Sequence, residues 1–145
     1  FIHEVIGLYQ SHPKHKITLS APVELTVTID SNRFRQVLHN LLKNAIEASE
    51  EAKLPVIIDI SYRQVTDKAK NWLELTIRDS GPGIPDAMMT TLFEPYATNK
   101  VRGTGLGLAI VKKIIDEHQG AVWTENIDPL GACIIIRLPL EKTTP

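Results

Sequence analysis

Between Phe34 and Ile46 the residues Phe34, Val37, Leu38, Leu41, Leu42, Ala45 and Ile46 recur at three- and four-residue steps. That spacing puts them on one stripe of an α-helix, and a one-sided helix must bury its stripe against a second layer. The predicted helix is Asn32–Glu51. Asp30, Ser31 and Asn32 each offer an N-cap, and Pro55 lies beyond its end. A second long helix is predicted over Gly107–Gln119, with Leu108, Ile110, Val111, Ile114 and Ile115 on its stripe and Gly120 placed to end it.

The rest of the chain supplies the covering layer. Lys16–Ser20, Glu24–Ile29, Val56–Arg63, Trp72–Arg78, Ala121–Glu125 and Ala132–Leu138 read as short strands, most of them with one apolar face. Polar Gln64–Asn71 reads as a hairpin loop, Asp128–Gly131 as a turn and Asp79-Ser80-Gly81-Pro82-Gly83 as a hard turn. Pro85–Leu92 fits a short helix and Glu94–Arg102 a loop. Phe1–Gln10 has helical spacing through Ile2, Val5, Ile6 and Tyr9, and Ser11-His12-Pro13 ends it. Strand pairs joined by polar turns predict antiparallel pairing. The expected fold class is therefore α/β: a two-layer sandwich with a mostly antiparallel mixed sheet and helices packed on one face.

At 145 residues the chain is long enough for one core. Its formal net charge of -1 gives no support to a broad polyanion-binding surface, so nucleic acid is not an expected partner. Cys133 is the single cysteine, which rules out an intrachain disulfide, and its apolar surroundings predict a buried thiol. No stretch is long and apolar enough to span a membrane, and there is no signal-peptide pattern. We expect no direct membrane contact by this segment and a soluble, cytoplasmic setting for it; an anchor elsewhere in a longer protein is compatible with that.

Several residues can carry chemistry. Asn40 and Asn44 are one helical turn apart, on a side distinct from Leu41 and Leu42. An amide oxygen is a hard ligand for magnesium and does not repel phosphate. Two solvent-facing polar residues are the simpler reading of the pair alone. Asp79 enters a glycine turn, where its carboxylate can accept a hydrogen bond from an exocyclic amine; a capped tight turn is the plainer alternative. Gly103, Gly105 and Gly107 alternate before a helix start, which suits backbone N–H groups aimed at a phosphate chain. A Walker ending is absent. Lys100 and Arg102 precede these glycines and can either cover phosphate or face solvent. His3, His12, His15, His39 and His118 lack zinc-type spacing, and His118 is expected at a helix C-terminus, where positive charge is favoured. Trp72 and Trp123 read as packing or edge residues, and Glu50-Glu51 as a solvated face.

Four segments in fixed order resemble the catalytic domain of sensor histidine kinases, within the wider superfamily of gyrase, Hsp90 and MutL. His39-Asn40-Leu41-Leu42-Lys43-Asn44-Ala45 is similar to the N box, and Asp79-Ser80-Gly81-Pro82-Gly83 to the G1 box. Leu92-Phe93-Glu94-Pro95-Tyr96 is similar to the F box, and Gly103-Thr104-Gly105-Leu106-Gly107-Leu108 to the G2 box. The resemblance runs from about Ser20 to Leu138. It implies ATP and Mg2+ as cofactors. Asn44 would bind the metal, with Asn40 supporting the metal and phosphate site. Asp79 would accept the adenine amino group, with Gly81, Gly83 and Ile84 shaping the pocket. Phe93 would pack under a lid over 94–102 that contributes Thr98, Lys100 and Arg102. Gly103, Thr104, Gly105, Leu106, Gly107 and Leu108 would form the phosphate end. Many relatives carry a lysine where this chain has Glu47; Lys100, Arg102 or Lys43 would then compensate. Gyrase-like members place a water-activating glutamate where this chain has Asn40, and an amide cannot act as a general base.

The resemblance implies transfer of the γ-phosphate to a histidine of an upstream dimerisation domain, for relay to a response-regulator receiver domain. A gyrase-like ATPase, or a nucleotide-sensing or docking module without catalysis, is the alternative. Residues 1–14 would be the junction to the dimerisation domain, 15–140 the catalytic domain and 141–145 a tail. The full protein would be a homodimer and the isolated domain a monomer. The wording from Glu94 to Gly105 is similar to the nitrogen-regulation group, NtrY-like or NtrB-like.

Overall fold

A computed structural model describes residues 2–10, 15–20, 25, 27–84, 92–94, 107–126 and 131–140. In chain order these form α1 (Ile2–Gln10), β1 (His15–Ser20), α2 (Ser31–Glu51), β2 (Val56–Asp67), β3 (Lys70–Asp79), α3 (Gly107–Glu117), β4 (Ala121–Asn126) and β5 (Ala132–Pro139). The strands make one sheet in the order β1-β2-β3-β5-β4. β1 and β2 are parallel and the other three pairs antiparallel, so the sheet is mixed and mostly antiparallel. Connectivity permits the parallel pair: parallel neighbours need a long crossover, and α2, between β1 and β2 in the chain, supplies it.

One sheet face carries Ile17, Ile58, Ile60, Leu73, Leu75, Ile77, Val122, Ile136 and Leu138, all buried. Against it pack Phe34, Val37, Leu38, Leu41 and Leu42 of α2, Val111, Ile114 and Ile115 of α3, and Val5 and Ile6 of α1. The periodic stripes are thus the inner faces of a helix layer. Residues 2–10, expected as part of a junction, contribute two side chains to the same core. α1 is further tied to α2 by Glu4–Arg35 at 3.5 Å and by Tyr9 Oη to His39 Nδ1 at 2.6 Å.

On the opposite sheet face Glu74 is buried beneath two guanidinium groups. Arg63 donates to its Oε1 and Arg137 to its Oε2, while Arg137 also pairs with Asp67 and stands over the Trp123 ring. Trp72 and Trp123 therefore act as packing residues, the former under Lys70.

The structure corrects several sequence expectations. Glu24–Ile29 supplies no second early strand among its described residues: Leu25 and residues 27–30 have no ladder, although Leu25, Val27 and Ile29 still pack against the core. Alternation records which side chains face inward, but a strand also needs a neighbour to pair with. Gln64–Asn71 is not a loop. The β2–β3 ladder continues to Asp67↔Lys70 and closes on Lys68 and Ala69, both with positive φ (52° and 63°), the conformation of a two-residue hairpin turn. Polar side chains leave backbone pairing intact. Asp30 is the N-cap of α2, accepting from Arg33 N–H, so the helix begins at Ser31. Gly120 does not take the left-handed position after α3. Gln119 does (φ 58°), and Gly120 N–H donates to Ile115 O at 3.0 Å. Glycine is needed at 120 for closeness, because a Cβ there would meet Arg137 O at 2.4 Å.

His118 stands at the C-terminal end of α3, as expected, and makes a longer-range link as well. Its Nε2 accepts from Asp30 N–H at 3.0 Å, and Nδ1 lies 2.8 Å from Ile114 O. The backbone N–H must donate, so the ring is neutral in this geometry, with its proton on Nδ1 directed at the carbonyl. It joins the end of α3 to the start of α2 rather than offering positive charge. Pro85–Thr91, predicted as helix, lies outside the described residues, whereas Leu92 is buried in a turn.

Candidate functional site

The candidate residues lie along α2, which meets the start of α3 at Asn40 and the turn after β3 at Ser49. Asn40 and Asn44 are half-buried on α2. Asn40 Nδ2 donates to Gly107 O, the first residue of α3, at 3.4 Å. This contact couples the first amide of the pair to the helix start that follows the glycine run. That start carries the partial positive charge of the helix dipole. A Cβ at Gly107 would meet nothing within 4 Å among the described residues, so crowding there does not require its glycine. Leu108 packs against the core beside it.

Asp79 is the last residue of β3, and its Oδ1 accepts Gly81 N–H at 2.9 Å. Ser80 ties the turn to β2, with its N–H donating to Ile57 O and its hydroxyl to Pro55 O. Gly81 is buried; a Cβ there would lie 3.0 Å from Asp79 Oδ1 and 3.3 Å from Ser49 Oγ. The glycine thus allows the carboxylate and the end of α2 to close on one point. Gly83 has φ 85°, the left-handed region that glycine adopts without strain. Ile84 follows, half-buried.

Two residues absent from the sequence reading belong to this neighbourhood. Ser49, on α2, is fully buried, and its hydroxyl has no hydrogen-bond partner among the described residues. Asn126, the last residue of β4, holds Ile84 from both sides: Ile84 N–H donates to Asn126 Oδ1, and Asn126 Nδ2 donates to Ile84 O, each at 2.8 Å. The signal for Ser49 was a polar side chain at helical spacing with Ala45 and Ile46. Asn126 gave none, because its partner is 42 residues away.

Lys43 is exposed and lies 3.9 Å from Glu47. It lines a groove of about 660 Å³ with Tyr9, His15, Ile46, Glu47 and Glu50, at the α1 side of α2. Burial pushes the Tyr9 phenol above its ordinary value. Phe93 is half-buried against the core. Thr98, Lys100, Arg102, Gly103, Thr104, Gly105 and Leu106 lie outside the described residues, as does the expected loop apart from Glu94. The structure therefore joins Asn40 of α2 to the α3 start, and sets Asp79 with Gly81 against Ser49 further along the same helix.

Comparison with known proteins identifies the fold. Residues 29–142 match the family described as "Histidine kinase-, DNA gyrase B-, and HSP90-like ATPase". Nitrogen regulation protein NtrY of Azorhizobium caulinodans is 37% identical over 134 residues, covering 92% of this chain and 17% of that protein. Sensor histidine kinase ZraS of Salmonella typhimurium is 36% identical over 115 residues, covering 79% of this chain and 23% of its own length. The chain thus spans less than a quarter of these curated relatives. The nucleotide-free catalytic domain of histidine kinase ThkA superposes with a TM-score of 0.81 at 35% identity, covering 96% of this chain and 90% of that one. Near-equal identity to NtrY and ZraS relates the chain to several sensor-kinase groups without singling out nitrogen regulation. Fold and matched sequence agree that the chain belongs to the histidine kinase-, DNA gyrase B- and HSP90-like ATPase family, on the side of the sensor histidine kinase catalytic domains.

Proposed function

We propose that this domain binds Mg-ATP and transfers the γ-phosphate to a histidine on a dimerisation domain, for relay to a response regulator. The observation that carries the choice of transfer over hydrolysis is the Asn40–Gly107 contact. Asn40 uses its amide N–H as a donor toward a carbonyl oxygen. A carboxylate there would meet that oxygen repulsively, and an amide has no basic site to activate water. Asp79 supports adenine recognition because one of its oxygens holds the turn while a carboxylate has further lone pairs for an exocyclic amine.

The residues fit a magnesium ion held mainly by phosphate oxygens and water. Such an ion needs few protein ligands, and Asn44 offers one amide oxygen. When bound, it would neutralise charge on the β- and γ-phosphates. Asn40 keeps the start of α3 against α2, and the α3 N-terminus favours the phosphate charge. Within this reading Lys100 and Arg102 draw toward the phosphates as the 94–102 segment closes, and residues Gly103–Leu108 donate backbone N–H groups. The full protein is a homodimer of the NtrY-like or NtrB-like group, with this domain on the cytoplasmic side of any inner-membrane anchor.

The test is incubation with γ-labelled ATP of the domain joined to a dimerisation domain carrying the acceptor histidine. Acid-labile, base-stable label on protein is the expected result. Phosphate release without protein label would establish a gyrase-like ATPase instead, and nucleotide binding with neither would establish a sensing module. Asp79→Ala should weaken ATP binding by about tenfold or more, the loss of a charged hydrogen-bond acceptor, and erode preference over GTP. Unchanged affinity and preference in calorimetry would remove Asp79 from adenine recognition.

A further inference from the structure

We infer that Asn126 is a positioning residue that sets the adenine end of the pocket, acting through the turn that carries Asp79. The inference rests on the nucleotide-binding reading above and concerns a residue outside all four motif segments. Strand register gives its basis. Asn126 pairs with Ala132, and Ala132 pairs with Asp79, so the three form one row across the sheet. Alternation places them on the same face as Ile134, Ile136 and Ile77, the helix-covered side. Asp79 and Asn126 thus flank a small buried residue, two strand spacings apart (roughly 10 Å).

The backbone leaving Asp79 covers that interval. It turns at Ser80–Gly83 and is caught at Ile84, where the Asn126 amide satisfies both the N–H and the C=O at 2.8 Å. A primary amide is the neutral side-chain group that reproduces a backbone N–H and C=O together, as a further strand would. The grip is tight along its length. A Cβ on Gly83 would meet Asn126 Oδ1 at 3.2 Å and Gly131 O at 3.3 Å, and a Cβ on Gly131 would strike Asp79 O at 2.4 Å. The turn is therefore fixed at Asp79 and Ser80 by the neighbouring strands, at Gly81 by the Asp79 carboxylate, and at Ile84 by Asn126. Releasing the last anchor leaves the carboxylate present but frees the Pro82–Ile84 side of its turn from the only side-chain hold on it among the described residues. The defect should fall on recognition of the base and spare the phosphate end, which is built from α2 and α3.

The test uses the purified domain, with Mg-ATP, Mg-GTP and Mg-tripolyphosphate titrated calorimetrically into the parent and into Asn126→Ala. Expected is an ATP affinity about tenfold weaker, the scale of one net hydrogen bond with some added disorder. The ATP/GTP ratio should fall and tripolyphosphate binding should stay unchanged. In parallel, the Ile84 amide should exchange with solvent faster in the variant. If the alanine variant does not fold, Asn126→Asp serves, since it keeps the acceptor but sets a carboxylate against Ile84 O. Equal losses for all three ligands would reduce Asn126 to a merely structural role. Unaltered ATP affinity and preference, or unaltered Ile84 exchange, would overturn the inference while leaving the kinase reading standing. A folded parent that binds no adenine nucleotide would overturn the reading itself, and this inference with it.

Discussion

At the scale of residues, the glycines of this domain separate into those that bend and those that make room. Gly83 and Gly131 have positive φ, whereas Gly81 and Gly120 admit a neighbour that a methyl group would displace. Gly131 does both: its φ is 118°, and a Cβ would reach Asp79 O at 2.4 Å, an atom held in the β3–β5 ladder. Gly131→Ala should therefore lower stability by about 2–4 kcal/mol, combining left-handed strain with overpacking against backbone. Urea denaturation is the measurement, and a loss below about 1 kcal/mol would show that the ladder yields easily there. Ser49 illustrates a different residue-level feature. A buried hydroxyl without a partner among the described residues is normally costly, and this one lies beside Gly81.

At the scale of elements, each helix has a different anchorage. α2 is capped by Asp30 and buries a stripe along most of its length. α3 ends in a left-handed Gln119 and is tied back to the α2 N-cap through neutral His118, beside the Arg33–Glu117 pair at 2.7 Å. α1 has nine residues, too few to be stable by propensity, and depends on Val5, Ile6 and its links to α2. Gly7 weakens it further, and a Cβ there would meet nothing within 4 Å among the described residues. Gly7→Ala should raise stability by about 0.5–1 kcal/mol, the helix-propensity difference. An unchanged or lowered thermal midpoint would mean that the α1 backbone is not helical at Gly7 in solution. The same reasoning explains the long β2–β3 hairpin. Its outer end has little apolar burial, and it persists through backbone pairing, the Thr66–Asn71 side-chain bond and the charged cluster around Glu74.

At the scale of the whole molecule, Cys133 reports on global opening. It is buried on β5, between β3 and β4. Burial pushes the thiol above its ordinary value of 9.0, only partly offset by the hydrogen bond and charge of Arg78. The folded state therefore holds the proton more tightly than the unfolded chain. This group contributes its stability below pH 9.0, and that contribution is lost as pH rises beyond it. Because the thiolate is the reactive form, a disulfide reagent at pH 8 should label the native protein at least ~100-fold more slowly than the urea-unfolded chain. Comparable rates would show that β5 opens without global unfolding.

The sequence by itself determined the layered architecture. The stripe from Phe34 to Ile46, the shorter one from Leu108 to Ile115, and the alternating strands each state which side must face the core, and hydrophobic burial needs no more information than that. It also exposed the amide pair, the Asp79 turn and the Gly107 start, since each is a local pattern whose chemistry is set within a few residues. The tertiary structure decided what depends on partners distant in the chain. Leu25–Ile29 alternates yet pairs with no strand among its described residues, while Gln64–Asn71 looks like a loop yet lies in a ladder, because pairing is a property of neighbours. His118 is neutral because Asp30 N–H reaches its ring, Gly120 is glycine because Arg137 O passes close by, and Asn126 joins the site because Ile84 arrives beside it. Periodicity encodes orientation toward a core, whereas hydrogen-bond partnership and steric clearance exist only once segments far apart in sequence have been brought together.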